Sequence, residues 1–111
     1  MLVDSHCHLD YLERDGDLEA AVQRAHSVGI GTMVTICTKV SEFDKILALT
    51  KNHKNLWCSV GTHPHNAKDE TDITADHIIK LCKNDKVIGI GETGLDYYYE
   101  NSDKNIQIES F

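Results

Sequence analysis

The chain contains no apolar run of 18 or more residues, no excess of basic residues and no C-x-x-C pair, and each absence removes a class of function. Without such a run no transmembrane helix is predicted. The start, Met1-Leu2-Val3-Asp4-Ser5-His6, lacks the basic and apolar regions of a signal peptide, so a cytoplasmic location with no membrane partner is expected. The four cysteines, Cys7, Cys37, Cys58 and Cys82, are spread about evenly, which suits reduced thiols better than a disulfide framework or zinc knuckle. A formal net charge of -7 argues against non-specific nucleic-acid binding through a basic surface. It leaves a nucleic-acid substrate open, because an enzyme that grips phosphate through metal ions carries its positive charge in the cofactor. Low-complexity segments and linkers are missing as well, and 111 residues with 41% hydrophobic and 26% charged content make one globular domain.

Four short apolar runs are predicted as buried strands: Leu2 to Ser5, Thr32 to Cys37, Leu56 to Val60 and Lys86 to Ile90. Helical patterns lie between them. Leu18, Ala21, Val22 and Ala25 form one apolar face, capped by Asp17 and stopped by Gly29. Phe43, Ile46 and Leu47 form another within Ser41 to Thr50, where Ser41-x-x-Asp44 resembles a capping box. Ala75, Ile78, Ile79 and Cys82 form a third, ending near Asn84. Strand and helix alternating at this spacing predict βαβ units and a parallel sheet whose strands are apolar on both faces because helices cover them. A fourth helix opens at Ser102 or Asp103, with Ile106 and Phe111 among its apolar positions, and the sequence stops at Phe111 without a Gly stop or polar tail. Four strands with an open edge and a terminal Phe predict a chain cut short, with apolar surface awaiting a completing piece.

Two histidines one residue apart, His6 and His8, stand where the first strand runs out. In extended backbone Asp4, His6 and His8 share a face, while Val3, Ser5 and Cys7 point the other way. Two imidazoles then converge with a carboxylate behind them, which is half of a metal site if Asp4 receives a ligand's second N–H. With seven histidines, about 0.4 His-x-His pairs are expected by chance; two occur, the other being His63-Pro64-His65. Spacing alone therefore proves little. Position adds weight, because both pairs lie at strand exits, where catalytic groups gather in parallel α/β folds.

Gly89-Ile90-Gly91-Glu92-Thr93-Gly94 formally matches the G-x-G-x-x-G dinucleotide fingerprint. That motif needs a helix N-terminus directly after the glycines to receive pyrophosphate. Leu95-Asp96-Tyr97-Tyr98-Tyr99 follows instead, and Glu92 would repel the phosphates. The glycines are better explained as a sharp turn that points Glu92 into a site. Strands one, three and four thus each end in a metal-competent or phosphate-competent group.

Asp4-Ser5-His6-Cys7-His8-Leu9-Asp10, Gly61-Thr62-His63-Pro64-His65 and Gly91-Glu92-Thr93-Gly94-Leu95-Asp96-Tyr97-Tyr98 together resemble the TatD family of metal-dependent hydrolases. The resemblance implies a TIM-barrel, (β/α)8-type hydrolase fold of roughly 250 residues, of which residues 1–111 form the N-terminal part of a single domain, truncated after about four strands. It also implies a deoxyribonuclease that cleaves phosphodiester bonds in DNA, trimming from the 3′ end with two divalent metal ions. By the family pattern His6 and His8 bind one metal, and Glu92 is the catalytic carboxylate shared between two. His63 and His65 face the substrate phosphate, with Asp4 and Asp96 behind the ligands. Tyr97, Tyr98 and Tyr99 either stack on a base or, more simply, pack the barrel rim.

The family also uses two later histidines and a late aspartate, which this sequence does not reach. His26, His53 and His77 fall in or near helices and are expected at the surface. The chain alone is therefore expected to bind metal weakly and to show little or no nuclease activity. Mixed imidazole and carboxylate ligands suit zinc, manganese or magnesium. Two alternatives remain: C–N or ester hydrolysis in a small molecule by an amidohydrolase-like barrel, and a non-catalytic product that self-associates through its open sheet edge.

Overall fold

A computed structural model describes all residues from 1 to 111. Strands β1 (Leu2–Cys7), β2 (Ile30–Thr35), β3 (Leu56–Val60) and β4 (Val87–Ile90) form one sheet in chain order, and every adjacent pair is parallel. Helices α1 (Leu9–Arg14), α2 (Leu18–Ser27), α3 (Phe43–Lys51), α4 (Ala75–Leu81) and α5 (Lys104–Ser110) follow the strand exits or connect the strands. None is long and apolar enough to cross a membrane.

The helix layer covers one face of the sheet. Leu56, Cys58 and Val60 alternate along β3, so they share a face, and none retains any exposed surface. Leu56 packs with Met33, with Leu9 of α1 and with Val22 of α2. Cys58 and Val60 pack with Cys37, Val40, Phe43 and Ile46, and Ile78 and Leu81 of α4 close over them. The expectation that helices bury both faces is therefore corrected. Right-handed crossovers place successive helices on the same side of a parallel sheet. The other face lines a hollow of about 360 Å³ bounded by Ser5, Val34, Ile36, Ser59, Ile88 and Ile90, and Ile88 and Ile90 stay more than half exposed.

Several local expectations are also corrected. Helix α1 has no counterpart in the periodicity: its six residues are too few to establish a pattern, and Gly16, in the left-handed region, ends the segment that contains it. Asp17 does not cap α2; its carboxylate grips Arg24 in a two-pronged ion pair, with contacts of 2.6 and 3.3 Å. The Ser41 capping box does not form, because Val40–Glu42 make a 3₁₀ turn and α3 starts at Phe43. The carboxylate of Glu70 takes over that capping role. It is buried and accepts the N–H groups of Val40 and Ser41 at 2.9 and 2.8 Å and the Thr62 hydroxyl at 2.6 Å. Burial pushes the Glu70 pKa up, but the hydrogen bonds from Ser41, Thr62 and Val40 outweigh it and hold it below the ordinary carboxylate value.

Candidate metal centre

His6 sits near the end of β1, and His8 is the residue immediately before α1, whose first turn is tied down by the Leu9 N–H bonding Thr35 Oγ1 at 3.2 Å. Glu92 arrives from the far edge of the sheet. After β4, the Gly91 N–H bonds the Val60 carbonyl at 2.9 Å and the Glu92 N–H bonds the Cys37 carbonyl at 2.7 Å, which folds the turn back over the exits of β2 and β3. Gly61 makes this possible, since a Cβ there would lie 2.8 to 2.9 Å from the backbone of Gly91. No helix starts between Gly91 and Asp103, so no N-terminus faces the glycines and the dinucleotide reading finds no support.

The outcome is one cluster. One donor atom each from His6, His8 and Glu92 lie within 4.8 Å of one another, and they are the single such group of three or more His, Cys, Asp or Glu in the chain. A first-row divalent ion with bonds of about 2.1 Å holds neighbouring ligands roughly 3 to 3.5 Å apart, a spacing that small side-chain rotations reach from here. Two imidazoles and a carboxylate also match the donor chemistry of such an ion. Cys7, between the two histidines, is no ligand. It faces the helix layer, donates its S–H to the Val34 carbonyl, and is pushed up to about 12 by burial and then by the charges of Asp4 and Asp10.

Glu92 faces two ways. Its Oε2 lies 3.5 Å from His6 Nε2 and its Oε1 lies 3.5 Å from His63 Nε2. His63 Nδ1 accepts the backbone N–H of His65 at 3.0 Å, so the neutral ring carries its proton on Nε2. Burial lowers the His63 pKa, the Glu92 carboxylate works against this, and the net shift is downward, which keeps the ring neutral at neutral pH. His65 Nε2 meets Asp96 Oδ2 at 2.6 Å. This bond, and then the N–H of Tyr99, pull Asp96 below its ordinary value. His6, His8, His63, His65 and Glu92 line one open cleft of about 390 Å³, together with Tyr11, Thr38 and Asn66.

The remaining expected residues divide. Asp4 Oδ1 accepts the backbone N–H of His6 at 3.1 Å and makes no hydrogen bond to either imidazole, so it braces the strand end and not a ring. Asp96 pairs with His65 and not with His6 or His8. Tyr99 packs edge-on to His65, while Tyr98 is 87% exposed. His26 and His77 are exposed as expected. His53 is corrected: only 16% of its side chain is exposed, and its Nε2 pairs with Glu19 Oε1 at 3.0 Å, joining α2 to the loop after α3.

Tyr11, Ser102 and Gln107 make contacts at the site that their sequence context did not assign to them; Ser102, one of two residues expected to open the last helix, leaves that place to Asp103. Tyr11 stacks on His8 with ring centroids 5.5 Å apart; its place two positions after Leu9 in the H-x-H-L-D run was the available signal. Ser102 and Gln107 are both buried and both bond to the His65–Asp96 segment. Nothing in local pattern marks them.

Comparison with known proteins bears on the family and the fold. The family model "TatD related DNase" matches residues 3–111. YjjV of Escherichia coli K12, described as an uncharacterized metal-dependent hydrolase, is 33% identical over 86% of this chain and 38% of its own length. YabD of Bacillus subtilis, described in the same way, is 32% identical over all of this chain and 44% of its own length. A protein of Enterobacter lignolyticus named 3′-5′ ssDNA/RNA exonuclease TatD is 34% identical over 86% of this chain and 36% of its own length. The crystal structure of YjjV, a TatD homologue, superposes with a TM-score of 0.83 at 29% identity, covering 98% of this chain and 43% of that one. The chain thus spans less than half the length of the relatives it matches, and its four parallel strands and helices are those of a TIM-barrel hydrolase. With the model matched along nearly its whole length and the fold shared, the chain belongs to the TatD-related DNase family of metal-dependent hydrolases.

Proposed function

We propose that the chain carries the His6–His8–Glu92 part of a two-metal phosphodiesterase site that trims DNA from its 3′ end. The observation that supports this reading is the convergence of those donor atoms within 4.8 Å, beside two further imidazoles on the same cleft. A divalent ion held by these residues, whether magnesium, manganese or zinc, would supply Lewis acidity to activate water and would offset phosphate charge. That supply of positive charge matters in a chain of net charge -7.

The chain's own groups would act as follows. His6 and His8 would offer imidazole nitrogens and Glu92 a carboxylate to such an ion, and Glu92 keeps one oxygen toward His6 and the other toward His63. Neutral His63 keeps a proton on Nε2 for donation to a phosphoryl oxygen. Asp96 fixes the ring of His65 at the cleft wall through Nε2, leaving Nδ1 as an acceptor that would take a proton from water beside the bound phosphate. Water would complete the shell around three protein donors.

The test is a manganese titration followed by calorimetry, beside release of nucleotide from a 3′-labelled single-stranded oligonucleotide. Binding is expected to fall at least tenfold in Glu92→Gln, and any nucleotide release should vanish with chelator and with that variant. Metal binding indifferent to Glu92→Gln would refute the site. Metal-dependent turnover of an ester or amide panel without action on DNA would move the substrate class to small molecules.

A further inference from the structure

We propose that Ser102 and Gln107 are positioning residues that hold the His65–Asp96 pair in register with the cleft. Gln107 is fully buried although it lies on a short helix whose other residues, Ile106 excepted, are exposed, and its amide makes three hydrogen bonds. Oε1 accepts the Asp96 N–H at 2.7 Å, while Nε2 donates to the Asp96 carbonyl at 3.0 Å and to the Ser102 carbonyl at 2.8 Å. The amide thus pairs with both backbone groups of Asp96 as a neighbouring strand would. Ser102, with 1% exposure, does the equivalent for the other half of the pair: Oγ donates to the His65 carbonyl at 3.1 Å and accepts the Lys68 N–H at 3.1 Å.

Burying such polar groups costs free energy unless each is satisfied, and here each donor and acceptor is spent on the backbone that carries His65 or Asp96, or on the link between the two clamps. Of the two segments clamped, the one that carries Asp96 has no regular structure of its own, since Gly91 to Asp103 contains neither helix nor strand, while His65 lies in the 3₁₀ turn Pro64–Asp69. Asp96 in turn accepts the Tyr98 and Tyr99 N–H groups on Oδ1, which leaves Oδ2 aimed at His65 Nε2. A loop residue therefore meets a ring across 31 positions of sequence with a geometry set from α5. The consequence of the clamp for turnover rests on the substrate-facing role given above to His65; the clamp itself does not.

The test is a long-range 1H–15N spectrum of the imidazoles in the 15N-labelled chain at pH 7.5, with His65 assigned by difference from His65→Gln. The wild type should show His65 protonated on Nε2, with a slowly exchanging Hε2. Gln107→Leu should lose that Hε2 signal and shift His65 toward the spectrum seen in Asp96→Ala, while the His26 and His77 signals stay in place. A folded Gln107→Leu chain with an unaltered His65 spectrum would overturn the inference. Should Gln107→Leu not fold, Ser102→Ala removes one hydroxyl with little change of volume, and an unaltered His65 spectrum there overturns it equally. A changed spectrum in Gln107→Leu with unchanged affinity for a single-stranded oligonucleotide, read by fluorescence anisotropy, would sustain the clamp and remove His65 from the substrate-facing role.

Discussion

Gly61→Ala offers the sharpest check on how the sheet delivers Glu92. A Cβ at that position would sit 2.8 Å from the Gly91 carbonyl carbon and 2.9 Å from its nitrogen and oxygen, all backbone atoms with no flexible end to swing aside. Ordinary contact begins near 3.4 Å, so the two strand exits must part by about half an ångström. That displacement acts directly on the bonds from Gly91 N–H to Val60 and from Glu92 N–H to Cys37, now 2.9 and 2.7 Å. Overpacking of this kind costs about 1 to 3 kcal/mol of stability. Because the shift falls on the turn that carries Glu92, the proposed metal donor, manganese affinity should also drop roughly 10- to 100-fold, about 1.4 to 2.7 kcal/mol. Calorimetric titration and thermal unfolding in chelator measure the two effects separately. Gly89→Ala is the control: a Cβ there meets nothing within 4 Å, so both quantities should hold. Manganese affinity within about twofold of wild type in Gly61→Ala would refute the argument that close approach of Gly61 and Gly91 sets the position of Glu92.

Glu70→Gln should cost about 2 kcal/mol at neutral pH, since charge-assisted bonds to Val40, Ser41 and Thr62 are weakened in a buried site. Its folded pKa is depressed, so the stabilisation is present above the unfolded value of 4.5 and is lost as pH falls through the folded one. Urea unfolding midpoints should therefore converge for wild type and variant in acid, and parallel curves down to pH 3 would contradict this. Iodoacetamide at pH 7.5 should label Cys82 well ahead of the other thiols. Cys37 and Cys58 are buried, and burial pushes Cys58 to about 11 and Cys7 to about 12. Rapid labelling of Cys7 in the folded chain would be the contrary result.

Residues acting through local pattern were legible in the sequence. Gly29 ends α2 with φ +91, as a helix stop requires, and β3 spans Leu56–Val60 as its apolar run predicts. That His6 and His8 stand at the sheet's exit end was legible, but strict alternation was not kept: a bulge between Asp4 and Cys7 breaks it, and Ser5, expected opposite His6, lines the same hollow as His6. Local caps were less legible. Asp17 and Ser41 both carry N-cap side chains, yet Arg24 claims the first and Glu70 supplies the bonds expected of the second. A cap is a choice among partners, and the winning partner lies 7 residues away in one case and 29 in the other.

What the sequence by itself determined is the alternation of strand and helix and the identity of the donor groups at three strand exits, because both depend on near neighbours and on side-chain chemistry. Only the tertiary structure decided that Glu92 joins His6 across the sheet, that Asp96 turns to His65 and not to His6 or His8, and that a buried glutamine on the last helix bonds the Asp96 backbone. Those outcomes depend on which backbone groups are left unpaired once the sheet has formed. A hydrogen bond between residues 11, 31 or 37 positions apart leaves no periodic trace in a sequence.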